Sequence, residues 1–128
     1  MPLVRIELVE GRTNQQLRKI ADTVHSALVE TIGVPEQDRF QVITEHETSH
    51  LMFDPEYLNI QRSKEIVMIQ ITMSSGRSLD VRKALFRQIA ERLNAEAGIR
   101  REDVLINLVE VAKENWSFGN GIAQYAAA

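Results

Sequence analysis

A chain that resembles itself at one fixed shift folds as two copies of one unit, and here the shift is 65 residues. It superposes Val4, Ile6 and Leu8 on Ile69, Ile71 and Met73, and needs no gap through the helix that follows. Gly11-Arg12-Thr13 falls on Gly76-Arg77-Ser78, Gly33 on Gly98 and Asp38 on Asp103. The apolar positions Ile20, Val24 and Leu28 fall on Leu85, Ile89 and Leu93. Each half therefore predicts the other.

Each unit reads as strand, helix, strand. The first opens with Met1-Pro2-Leu3-Val4-Arg5-Ile6-Glu7-Leu8, where Pro2, Val4, Ile6 and Leu8 share one face of a strand. Thr13 with Gln16 three residues on forms a capping box, and Leu17, Ile20, Ala21, Val24, Leu28 and Ile32 follow at helical spacing. Gly33 ends that helix, and Pro35 keeps it ended. In the second unit Ser78 caps the helix, Asp80 suits its positive end, and Val81, Leu85, Ile89, Leu93 and Ala97 form the stripe that Gly98 closes. Partner strands are expected at about Phe40 to Thr44 and Val104 to Val111.

Right-handed crossovers lay both helices on one face of a shared sheet. The expected fold class is α+β, with two tandem β-α-β units, about 2–45 and 66–111, forming a four-stranded mixed sheet in a single domain of 1–128. The other sheet face is left apolar and uncovered, which calls for self-association. Between the units, His50 to Phe53 is expected to pair briefly at an edge, and Asp54-Pro55-Glu56 to turn. After them, Asn115-Trp116-Ser117-Phe118-Gly119-Asn120-Gly121 reads as a loop or hairpin.

Composition removes several function classes. With a net charge of -3 and its basic residues scattered, the chain carries no nucleic-acid footprint. The absence of cysteine excludes disulfides, thiol chemistry and thiolate zinc sites. His25 lies on the flank of the first helix, and His46 and His50 have no ligand spacing, so no metal is expected. Arg5 and Glu7 interrupt the first apolar stretch, and no run approaches the roughly 18 residues of a membrane span, so a cytoplasmic protein without a membrane partner is expected.

The unusual chemical group is at position 2. If Met1 is removed, Pro2 becomes a secondary amine at the start of a buried strand, where an ordered terminus can be aimed at a substrate. Such an amine can stabilise a developing enolate by hydrogen bonding, or condense with an aldehyde to an iminium.

Pro2 at the strand start, Glu10-Gly11-Arg12-Thr13 before the first helix, Gly33-Val34-Pro35 with Asp38-Arg39, the doubled unit and the closing Trp116-Ser117-Phe118-Gly119 together resemble the tautomerase superfamily. Within it they look most like the malonate semialdehyde decarboxylases. The resemblance covers nearly the whole chain. It implies a homotrimer, loss of Met1, no metal or organic cofactor, and a cofactor-independent decarboxylation of a small 3-oxo acid. A tautomerase or hydratase acting on an enol or unsaturated acid is the alternative. Carried over by position, Pro2, Asp38 and Arg77 are the expected catalytic residues, and Arg77, Ser75, Trp116, Phe118 and Tyr125 the expected substrate contacts. The loop Met73-Ser74-Ser75-Gly76-Arg77 departs from the family pattern, which places two arginines there; Ser74 or Ser75 offers only a neutral donor instead.

Overall fold

The repeat is realised almost residue for residue in a computed structural model of the chain, which describes residues 1–126. Strand β1 (Leu3–Val9), helix α1 (Asn14–Ile32) and strand β2 (Phe40–His46) form the first unit; β3 (Val67–Ser74), α2 (Leu79–Ala97) and β4 (Val104–Val111) form the second. The four strands lie in the order β2, β1, β3, β4. Pairing is parallel within each unit and antiparallel between them, so the sheet is mixed. Leu3 stands opposite Phe40 and Met68 opposite Leu105, which is one register used twice. Across the central pair Arg5 faces Gln70, its own repeat counterpart, so a local two-fold axis passes between them.

Local chemistry sets the helix ends. Gln16 N–H donates to Thr13 Oγ1 at 3.1 Å and Thr13 N–H to Gln16 Oε1 at 2.8 Å, completing the capping box. Ser78 Oγ accepts from Val81 N–H at 3.2 Å. Gly33 and Gly98 close the helices in the left-handed conformation (φ 72° and 68°), which costs glycine least. Both helices cover the same sheet face: Leu17, Ile20, Val24, Leu28, Leu85, Ile89 and Leu93 meet Val4, Ile6, Leu8, Ile69, Ile71 and Met73 in one core. Truncating any of the large ones to alanine costs about 2–5 kcal/mol.

Two expectations need correction. His50 to Phe53 adds no edge strand. Thr48–His50 is instead a single 3-10 turn, and the following backbone closes on itself through Asn59 N–H to Glu56 O and Arg62 N–H to Pro55 O, while Leu51 tucks its side chain inside. The helix-free sheet face is also less apolar than expected. Phe40, Val42, Leu105 and Val109 are exposed on its outer strands, but Arg5, Gln70 and Asn107 are exposed on the same face. Among the described residues no helix is long and apolar enough to cross a membrane.

Candidate active site

The site follows from the strand register. Continuing the β1–β2 pairing two steps beyond Leu3 and Phe40 brings Met1 beside Asp38, and continuing the β1–β3 pairing two steps beyond Leu3 and Thr72 brings it beside Ser74. The amine thus emerges at the end of the sheet, between the start of β2 and the end of β3. Its nitrogen, on Met1, lies 2.7 Å from Asp38 Oδ2. That oxygen is buried and accepts no hydrogen bond among the described residues, so the ion pair is what compensates it there. Bond lengths keep the Pro2 nitrogen within about 3.7 Å of the Met1 nitrogen, and Pro2 itself is buried.

Asp38 is held by its neighbours. Its own N–H donates to Pro35 O at 2.9 Å, closing a turn, and buried His25 donates through Nε2 to Glu36 O at 2.8 Å. His25 is therefore a brace for this turn. Next to it, Arg39 donates to Asp22 Oδ1 at 2.6 Å, tying the turn to α1; that hydrogen bond, ahead of the one from Arg18, holds the Asp22 carboxyl below its ordinary value.

Beside the amine is an open pocket of about 710 Å³ lined by Met1, Ser74, Ser75, Gly76, Arg77, Lys113, Gln124 and Tyr125. Arg77 is half-buried, donates to Ser74 O at 3.0 Å and has no ion pair among the described residues. Ser74 is buried, and its Oγ accepts from Trp116 Nε1 at 3.2 Å. It fastens Trp116, which leaves Ser75 as the exposed hydroxyl of the lining. Trp116 stacks on Phe118 with centroids 5.4 Å apart and planes 9° from parallel; Phe118 also meets Tyr125 edge-on at 4.9 Å and Phe40 at 5.9 Å. The Tyr125 hydroxyl donates to the Met1 sulfur. Although over a third of Tyr125 is exposed, burial at the pocket and then the charge of Asp38 push its phenol above the ordinary value. The pocket thus brings the terminal amine, Arg77 and Tyr125 together, while Asp38, Trp116 and Phe118 stand behind its lining through the amine, Ser74 and Tyr125; the set can hold a small acid.

Two family models, each described as a tautomerase enzyme, match residues 2–60 and 38–119. The chain belongs to the tautomerase family. A curated relative, the probable tautomerase YusQ of Bacillus subtilis (strain 168), is 45% identical over 97% of this chain and 98% of its own. Among solved structures, FG41 malonate semialdehyde decarboxylase inhibited by 3-bromopropiolate is 41% identical with a TM-score of 0.91, over 96% of this chain and 93% of that one. A second malonate semialdehyde decarboxylase, described for its decarboxylase and hydratase activities, is 31% identical with a TM-score of 0.90, over 96% and 95%.

This tautomerase-family chain also carries the repeat counterpart of its site. There Asp103 takes the place of Asp38, and the chain runs on through Ile66 where the first unit begins. Asp103 is buried and accepts from Ser63 N–H and Ser63 Oγ, both at 2.7 Å, and from Arg100 at 3.4 Å. Arg12, the counterpart of Arg77, donates to Glu65 O at 2.8 Å and lies 3.2 Å from the Glu65 carboxylate. The second pocket, of about 540 Å³, remains open, but Arg12 and Asp103 in its lining are already paired within the chain. Sequence reading missed Lys113 and Gln124 in the first pocket; comparing position 113 with position 48 would have drawn attention to the lysine.

Proposed function

We propose that this protein is a cofactor-independent decarboxylase that converts malonate semialdehyde to acetaldehyde and carbon dioxide, with the Pro2 nitrogen, freed by removal of Met1, as its working amine. The observation that carries this reading is the meeting of the terminal amine with the buried Oδ2 of half-buried Asp38, beside an Arg77 that has no ion pair among the described residues.

In this mechanism the bond between the carboxylate carbon and the methylene breaks, and its electron pair moves into the aldehyde carbonyl. Cationic Pro2 hydrogen-bonds that oxygen, or Pro2 in its neutral form first condenses with the aldehyde, losing water, to an iminium, and either way the electron-rich intermediate is stabilised. Asp38 pairs with the charged amine and holds it in place. Arg77 orients the carboxylate out of the carbonyl plane, with Ser75 adding a neutral donor. Trp116, Phe118 and Tyr125 exclude water and disfavour the free carboxylate, which assists its departure as carbon dioxide. Protonation of the methylene carbon then gives acetaldehyde, directly on the hydrogen-bonded route and after water hydrolyses the iminium and frees the Pro2 nitrogen on the other.

The second reading is a tautomerase or hydratase, in which neutral Pro2 serves as a base or Asp38 activates water. It is supported by the name of the 45% identical relative. Product analysis with malonate semialdehyde beside an enol pyruvate distinguishes the two: acetaldehyde and carbon dioxide are expected from the first. Ketonisation of the enol without carbon dioxide release from the oxo acid would overturn the proposal, and an intact mass showing Met1 retained would remove Pro2 from it. We infer further that the chain forms a homotrimer, supported by the exposed Phe40, Val42, Leu105 and Val109 of the uncovered sheet face.

A further inference from the structure

We propose that Lys113 is the second cation of the pocket, holding the carboxylate of a short-chain oxo acid together with Arg77. This deepens the function proposed above and rests on it for identifying the anion as the substrate's carboxylate.

The fold contains its own control, because the same backbone builds a pocket twice. Ser74, Ser75, Gly76, Arg77 and Lys113 line one; their counterparts Val9, Glu10, Gly11, Arg12 and Thr48 line the other. The 3-10 turn Lys113–Asn115 is likewise the counterpart of Thr48–His50. In the second pocket the arginines are answered within the chain: Arg12 meets Glu65 at 3.2 Å, and Arg100 meets Asp103 at 3.4 Å and Glu102 at 3.6 Å. Glu10, Glu65 and Asp103 are all in its lining. Among the described residues the first pocket has no acidic side chain in its lining. Neither Arg77 nor Lys113 has an ion pair among the described residues, and Asp38 is already taken by the amine. Position 113 is thus charged only in the pocket whose charge is unanswered. A concave site with uncompensated cations draws in an anion.

The turn that carries Lys113 is also fixed, although its side chain is exposed. Its carbonyl accepts from Trp116 N–H at 3.4 Å, and the Trp116 ring donates to Ser74 Oγ at 3.2 Å, so the turn carrying the ammonium is fastened to the strand end that carries Arg77. An ammonium on a flexible stem acts as a point charge, without the orienting fork of a guanidinium. It therefore binds substrate and transition state about equally, which changes KM and leaves the chemical step alone.

The test is calorimetric titration of the full chain with malonate, an unreactive anion, alongside kinetics on malonate semialdehyde. Lys113→Met is expected to raise both Kd and KM about tenfold, the lower end for a charged hydrogen bond, with kcat nearly parental. Lys113→Arg should restore binding, and added salt should weaken the parent more than Lys113→Met. Lys64→Met, in the other pocket, should bind as the parent does. Should the methionine variant misfold, Lys113→Gln makes the same test. Parental Kd and KM without the lysine, or an equal loss in Lys64→Met, overturns the inference. If malonate binding follows Lys113 but no acetaldehyde forms, the proposed reaction falls and the acid-binding role of Lys113 stands.

Discussion

Replacing Arg77 by alanine probes the proposed carboxylate grip at its centre. The guanidinium carries five N–H donors. One of its nitrogens donates to Ser74 O at 3.0 Å, and no carboxylate of the described chain pairs with it. The remaining donors are free for a ligand. A hydrogen bond to a charged group is worth about 1.5–3 kcal/mol. At about 1.4 kcal/mol per power of ten, Arg77→Ala should lose roughly one to two powers of ten in kcat/KM. Both KM and kcat should suffer, since orienting the carboxylate out of the carbonyl plane matters to bond breaking as well as to binding.

Acetaldehyde release, followed with a coupled dehydrogenase, measures the effect, and the repeat supplies the control. Arg12→Ala removes a guanidinium from the same backbone position, but one already engaged by Glu65, so its efficiency should match the parent's. Arg62 is no substitute, because it already donates to Tyr57 O at 2.9 Å and to Ile60 O at 3.3 Å and braces its own loop. Parental efficiency in Arg77→Ala, or an equal loss in Arg12→Ala, would refute the assignment.

Pro2→Ala should fold with the parent's melting curve yet lose most decarboxylation; undiminished turnover would take the proline out of the mechanism. Sedimentation at micromolar concentration should give a trimer, and a monomer would contradict the role given to the open sheet face. Tyr125 should ionise above the ordinary tyrosine value of 10.0, because burial first and the Asp38 charge second oppose the phenolate. Its linkage contribution to stability is therefore complete below that value and lost as pH rises through the raised one. Ultraviolet titration in a Tyr57→Phe background reads the shift, which Asp38→Asn should reduce without abolishing; an unchanged midpoint in that variant would exclude the Asp38 charge as a cause.

What was legible in the sequence is what local rules determine. Thr13 and Ser78 cap the helices, Gly33 and Gly98 end them, and β4 runs from Val104 to Val111 as its alternation predicts. The stretch between the units was not legible, because Leu58 and Asn59 take left-handed φ of 61° and 60° without a glycine to announce the turn. Ser74 looked like a ligand donor beside Ser75, but whether such a hydroxyl faces ligand or wall depends on where Trp116 returns, which only tertiary packing decides. Lys113 was overlooked for the same reason. Its meaning lies in its nearness to Arg77, and that follows from β3 and β4 ending side by side, with Ser74 opposite Val111.

The two ends of the local two-fold axis show what joining two units in one chain requires. Asp38 and Asp103 occupy the same place, yet only the first can meet a terminal amine, since at the second the backbone must continue from Ile66 toward the first unit. A carboxylate buried there with its partner missing would cost about 3–5 kcal/mol. Ser63 and Arg100 supply the missing hydrogen bonds, and in doing so anchor the connecting segment onto the second unit. Glu65 does the same for Arg12. The groups that would hold a ligand in one half thus hold the linker in the other. The half with its amine intact is left with cations that no other described residue neutralises, and an acid substrate would complete them.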